Sequence, residues 1–208
     1  MPAYYDRNPS LREDPPGPSG NILTSNGYNW ISATPAVAPI RSITVPGTAV
    51  SQIDIEDSFT DYPWYMIVGY NVRPTTANSI FYSRLRVGNT YQTTSYLGVT
   101  LYVTSASTST FIDADSTAMP IMRYGVSSTS AQNGMFVLYL MNPTLGGVMR
   151  SAMWDSGSTN TGQGVGRNMG YAAYTGTGNT NPLTGIRFYF SGSTTAAGTF
   201  QLYGMKGA

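Results

Sequence analysis

From about residue 43 onward, apolar and polar side chains alternate in short runs broken by Ser, Thr, Gly and Asn, the two-residue period of strands with one face buried. SQIDIED sets Ile53 and Ile55 against Asp54 and Glu56. SIFYSRLRV sets Phe81, Leu85 and Val87 against Tyr82, Arg84 and Arg86, which predicts a half-buried strand with a basic outer face. WYMIVGYNV is a longer apolar strand halted by Arg73-Pro74, and YLGVTLYVT follows a turn at Gly88-Asn89. MFVLYLM, Met135 to Met141, is apolar on both faces and is expected to lie centrally in a sheet. MPIMRYGV, VMRSAMW, MGYAAYT and GIRFYFSG add further strands. In GTFQLYGMK, Phe200 and Leu202 point to the core while Gln201 and Tyr203 point outward.

No helical period interrupts these runs. About ten short strands joined by polar turns predict an all-β fold, an antiparallel two-sheet sandwich of jelly-roll type, with a closed barrel as the alternative. The Gly/Ser/Thr-rich stretches TSASTST and DSGSTNTGQGVG read as long surface loops between strands.

The first 50 residues break the pattern. Pro2, Pro9, Pro15, Pro16 and Pro18, then Pro35, Pro39 and Pro46, forbid a regular helix and leave only short strand candidates such as YNWIS and RSITV. Residues 1–50 are therefore expected to form an extended arm and residues 51–208 the sandwich. At ~3.3 Å per residue, 40 extended residues reach about 130 Å. A plain tail is the simpler reading, but Tyr4, Tyr5, Ile22, Leu23 and Trp30 favour an arm that packs on a partner, because a pure linker rarely carries such side chains.

Composition removes most enzyme classes. The chain has no cysteine and no histidine, which excludes disulfides, thiolate and imidazole metal sites, Cys nucleophiles and Ser-His triads. A net charge of +1 with 10% charged residues points to no polyanionic partner, so no nucleic acid is expected. No apolar run reaches the ~18 residues of a membrane span, and the N-terminal stretch lacks a secretion signal. The chain reads as soluble and unprocessed, with no membrane partner.

Four constellations deserve weighing. DADS, Asp113 to Ser116, begins like a calcium loop, but Ala118 and Tyr124 occupy the positions of its glycine and glutamate. Asp54, Glu56, Asp57 and Asp61 are close enough in sequence to suggest paired carboxylates for glycan hydrolysis, yet the outer face of a strand is where charge belongs by default. GQGVGRNMG matches a loose dinucleotide fingerprint without the helix that motif requires. Arg73, Arg84 and Arg86, interleaved with tyrosines, are candidates for surface or subunit contacts, as is Tyr203. No catalytic residue, metal site or cofactor is expected.

IDIEDSFTDYPWYMIVGYNVRPTTANSIFYSRLRVGNTYQTTSY, then MFVLYLMNP, then YAAYTGTGNTNPLTGIRFYFSGSTTAAGTFQLYGMK resemble a family of β-sandwich virion surface proteins of tailed bacteriophages. The positions that carry the resemblance are Arg73-Pro74, Leu85-Arg86, Gly88, Tyr91, Asn142-Pro143, Arg187 to Phe190, Ser191-Gly192 and Gly198 to Gly204. Pro63-Trp64 stands where the family carries an acidic pair, and the turn at Gly88 is short. The resemblance implies a non-enzymatic virion component, made in the host cytoplasm and displayed on the virion surface. It also implies a symmetric oligomer, a homotrimer, with the major capsid protein or other virion proteins as partners. The arm favours a capsid decoration or cement protein. The alternative is a short tail fibre or tail-tip module binding a host surface glycan.

Overall fold

A computed structural model describes residues 22–25, 30–33, 37–45, 47–56, 59–105, 107–141, 143, 149–160, 164–176 and 181–206. Among them there is no helix. The strands are β1 (Ile22–Ser25), β2 (Trp30–Ala33), β3 (Val37–Val45), β4 (Ile53–Glu56), β5 (Trp64–Pro74), β6 (Ser79–Val87), β7 (Thr90–Tyr91) and β8 (Tyr96–Thr104). They continue with β9 (Thr108–Ser116), β10 (Met119–Val126), β11 (Gly134–Met141), β12 (Arg150–Asn160), β13 (Gly164–Tyr174), β14 (Leu183–Phe190) and β15 (Thr195–Met205).

Two antiparallel sheets form a sandwich. The larger has eight strands in the order β3-β15-β5-β11-β12-β13-β8-β9; the smaller has five, β10-β6-β14-β4 with β7 beside β6. Strands β1 and β2 make a separate antiparallel pair. The chain crosses between the sheets repeatedly, going from β3 to β4, β4 to β5, β5 to β6, β7 to β8, β9 to β10, β10 to β11, β13 to β14 and β14 to β15. Both sheets keep open edges, so the fold is a sandwich and not the barrel alternative. Strand β3 lies within the range expected as arm, yet it pairs with β15 as an edge strand from Val45↔Gly198 to Val37↔Met205. That edge carries Pro39 and an irregularity in register next to it.

The alternation read from the sequence decides which side chains enter the core. Phe81 of β6 and Phe188 and Phe190 of β14 meet Phe136 of β11 and Phe200 of β15 between the sheets. The Phe81 ring centroid lies 4.7 Å from that of Phe190 and 5.7 Å from those of Phe136 and Phe188. Rings at these separations add to the stabilisation from burial alone. Phe200 and Leu202 are buried as GTFQLYGMK predicts, although β15 is an interior strand between β3 and β5.

Glycine makes room for two of the large rings. Gly69 pairs with both Phe136 and Phe200, and a Cβ there would collide with the Phe136 ring. Gly170 pairs with Trp154, and a Cβ there would collide with the indole. GQGVGRNMG, with Gly162 outside the described residues, thus belongs largely to a strand; Gly166, against Tyr124, and Gly170 serve close packing.

The two stretches expected as loops are corrected by the structure. TSASTST contains the tight turn between β8 and β9, closed by Thr104 N–H donating to Ser107 O at 2.8 Å. Most of DSGSTNTGQGVG is the end of β12 and the start of β13. Their polarity has a structural cause. Ser156, Ser158, Asn160 and Asn168 face inward and are buried. There Ser156, Asn160 and Asn168 hydrogen-bond the free edge of β10, whose register is bulged. Ser156 Oγ donates to Ile121 O (2.6 Å), and Asn160 Nδ2 donates to Tyr124 O (2.8 Å). Asn168 Oδ1 accepts from the Arg123 and Tyr124 amides (3.1 and 3.3 Å). Buried backbone groups need partners, and at this edge side chains of the opposite sheet provide them.

Candidate interaction surfaces

The outer face of the five-stranded sheet gathers Asp54, Glu56, Arg84, Arg86 and Arg187. Strand β14 lies between β4 and β6, and this brings together side chains far apart in sequence. Arg187 holds Asp54 with two bonds of 2.7 Å each, Nε to Oδ1 and Nη2 to Oδ2, across 133 positions of chain. Its guanidinium also sits 3.8 Å from the Tyr91 ring centroid. Arg86 approaches Glu56 at 3.6 Å, and Tyr91 donates to Glu56 Oε1 at 3.3 Å. Tyr82 stacks on Tyr189 at 5.7 Å, and Arg84 covers the Tyr189 ring at 4.8 Å while its Nε donates to Thr117 O.

In this lattice Arg187 and Arg86 each have a carboxylate beside them, and Arg84 is held by Thr117 O and the Tyr189 ring. The bonds to Asp54 hold the Arg187 guanidinium above its usual range. Burial, followed by the nearby Asp54 and Glu56 charges, holds the Tyr91 phenol well above the ordinary tyrosine value. A two-bond arginine–carboxylate pair fixes both groups. Asp54 and Glu56 share a face, as the sequence predicts, but both are engaged by arginines. Asp61 lies in the turn before β5, near the Tyr65 hydroxyl that its amide donates to at 3.1 Å, and Asp57 lies outside the described residues. Among the described residues, the carboxylates of the hydrolase reading do not face one another across a cleft.

Of the other sequence candidates, Arg84 and Arg86 belong to this lattice. Arg73 sits near the end of β5, and Tyr203 lies on the outer face of the other sheet, donating to Gln201 Oε1 at 2.8 Å. Tyr4 and Tyr5 are outside the described residues; Ile22 and Leu23 lie on β1 and Trp30 on β2. Asp113 of the DADS stretch sits in β9 and is paired with Arg123. Among the described residues, no group of three or more Asp or Glu side chains is placed to hold a metal.

The outer face of the eight-stranded sheet has a different character. Register places Pro39, Tyr203, Met66, Tyr139, Met153, Tyr171, Val99 and Ile112 in one row, one residue from each strand, from edge to edge. A second row runs Val37, Met205, Trp64, Met141, Ser151, Ala173 and Leu97. On the opposite side of the first row, a third includes Val68, Val137, Asp155, Met169 and Leu101. Trp64 is 49% exposed, Met153 47%, Tyr171 46% and Val99 43%. A depression of about 600 Å³ lies over Val137, Tyr139, Met153, Met169, Tyr171 and Val99. Asp155 is paired with Arg167, which donates from Nε to Oδ1 at 2.9 Å.

Sequence reasoning missed this face, although a signal was present. MFVLYLM is apolar on both faces and does lie centrally, as expected. Its second face, Met135, Val137, Tyr139 and Met141, is covered by no described residue of this chain in the way its first face is covered by the five-stranded sheet. It also missed Arg187, Tyr91 and Tyr189 as members of the polar lattice, since only the β4-β14-β6 order brings them together.

No protein-family model matches the chain, and comparison with curated proteins finds no significant match. Among solved structures it is similar to a chain of infectious bursal disease virus, Gt strain, at 10% identity, covering 89% of this chain and 46% of that one with a TM-score of 0.13. It is similar to the infectious bursal disease virus VP2 subviral particle at 10% identity, covering 88% and 45%, again with a TM-score of 0.13. The chain spans less than half the length of those two chains, and likeness at this TM-score carries no argument about fold or function.

Proposed function

We propose that the chain is a non-enzymatic structural protein of a bacteriophage virion, a capsid decoration protein held by the part of the expected arm that precedes β3, with the sandwich projecting outward. One observation carries the structural role. Strands β5 and β11 are apolar on both faces, as strands with a layer on each side are, and β8 and β13 turn Leu97, Val99, Leu101, Met169 and Tyr171 outward, while the five-stranded sheet covers only the inner face. A sandwich encoded this way is built to be covered by something further. Soluble monomers rarely expose an apolar patch larger than ~300–600 Å². The sequence resemblance to virion surface proteins supports the setting, and the aromatic, proline-rich arm supports the capsid shell as the anchoring site.

The test is attachment to particles lacking the protein. The full chain is expected to bind the shell in many copies. Deletion of residues 1–30, which ends before β3, is expected to abolish binding while the far-ultraviolet β signal and the unfolding midpoint are kept. Full decoration by the deleted protein overturns the anchoring role.

A tail-tip module that binds a host glycan is the second reading, favoured by the stacked Tyr82–Tyr189 pair beside Arg84, since aromatic faces next to fixed hydrogen-bond donors suit sugars. It requires purified protein to compete with infection; infection unaffected at saturating protein overturns it.

A further inference from the structure

We propose that the outer face of the eight-stranded sheet packs against the same face of a second copy of this chain. The inference rests on reading that face as an assembly surface and names what covers it. Size is the first argument. Seven steps of ~4.8 Å between strands make the Tyr139–Met153–Tyr171 row about 34 Å long, and three rows two residues apart span about 20 Å with their side chains. The strip therefore offers roughly 700 Å², close to the ~800 Å² that each partner contributes to a stable interface.

Charge is the second argument. A face that meets its own copy must not repel itself, and here Asp155 and Arg167 neutralise each other within one chain. A partner of opposite charge would find nothing to recognise. Shape is the third. The row crosses every strand from Pro39 to Ile112 without a charged residue. Two such sheets pack face to face at about 10 Å, the spacing at which large apolar side chains interdigitate. Tyr and Met dominate the centre, residue types enriched at the buried core of interfaces.

The experiment uses the full chain. Sedimentation across a range of concentrations is expected to give a mass that is an even multiple of 22.3 kDa, because a face that packs on itself pairs copies. Met153→Lys places a charge on a side chain that is half exposed in one copy, so the fold is expected to persist while association weakens at least about 30-fold. Because the chain lacks cysteine, Met153→Cys carries a photoreactive label at one position only. Cross-links are expected to land on Tyr139, Met169, Tyr171 or Val99 of another copy. A protein that stays at 22.3 kDa, a Met153→Lys protein that associates as wild type, or cross-links landing on residues 1–36 each overturn the proposal. A monomer that still decorates particles overturns self-association and leaves the virion role standing; an oligomer that never attaches to particles does the reverse.

Discussion

The five-stranded sheet turns toward solvent a set of charges already matched to one another, Asp54 to Arg187 and Glu56 to Arg86, with Tyr91 wedged among them. The eight-stranded sheet turns outward Trp64, Met153, Tyr171 and Val99, each more than two-fifths exposed. Both faces belong to sheets that share one core, so burial inside the sandwich does not explain the difference. The first face is finished within a single chain, because its polar groups have their partners and water can cover the rest. The second gains free energy only when another surface excludes water from it.

The sharpest way to break this comparison is to make one change on both faces. Tyr139→Glu, at the centre of the apolar rows, is expected to weaken association at least about 30-fold, whereas Tyr189→Glu on the lattice leaves association unchanged. Equal effects in sedimentation would mean that the faces are not distinct. Next in size is Arg187→Ala, which strands Asp54 and uncovers Tyr91. It is expected to cost about 1–2 kcal/mol of stability, read from urea unfolding, with no change in mass.

Alkali probes the lattice side as well. The phenols of Tyr91 and of the buried Tyr96 are held above their ordinary value of 10.0, chiefly by burial. Tyr96 OH accepts from the Leu85 amide at 2.8 Å. A group whose proton is held more tightly in the folded state contributes stability that is complete below its unfolded pKa and fades above it. Unfolding midpoints are therefore expected to fall as the pH rises past about 10, and Tyr91→Phe and Tyr96→Phe to flatten that fall. The smallest effect is expected from 1 M salt, which screens the exposed Arg86–Glu56 pair and lowers stability by less than about 0.5 kcal/mol while leaving association intact. Salt-sensitive association would move the charged face into the contact.

Strands and their inward residues were legible because a two-residue period in SIFYSRLRV or GTFQLYGMK leaves one choice of core face. The strands β12 and β13 were hidden where Ser156, Ser158, Asn160 and Asn168 occupy inward positions, since polar residues there signal a loop until the β10 edge that Ser156, Asn160 and Asn168 bond is known. Of the lattice, Arg84, Arg86, Asp54 and Glu56 could be placed on outer faces from their own strands. Their pairing could not, because Arg187 reaches Asp54 only through the sheet order. The apolar outer face was half legible. Runs apolar on both sides announce two covered faces, but which face another molecule covers depends on where the second sheet lies.

The edge strand β3 sets a bound on assembly. Pro39 removes a backbone donor and the neighbouring irregularity bends the strand, two devices that stop a sheet from gaining another strand at its margin. A chain that presents a wide sticky sheet would otherwise risk growing sideways into open ribbons. With this margin blunted, no further strand is invited beside β3, so at that edge contact across the sheet is favoured over growth along it.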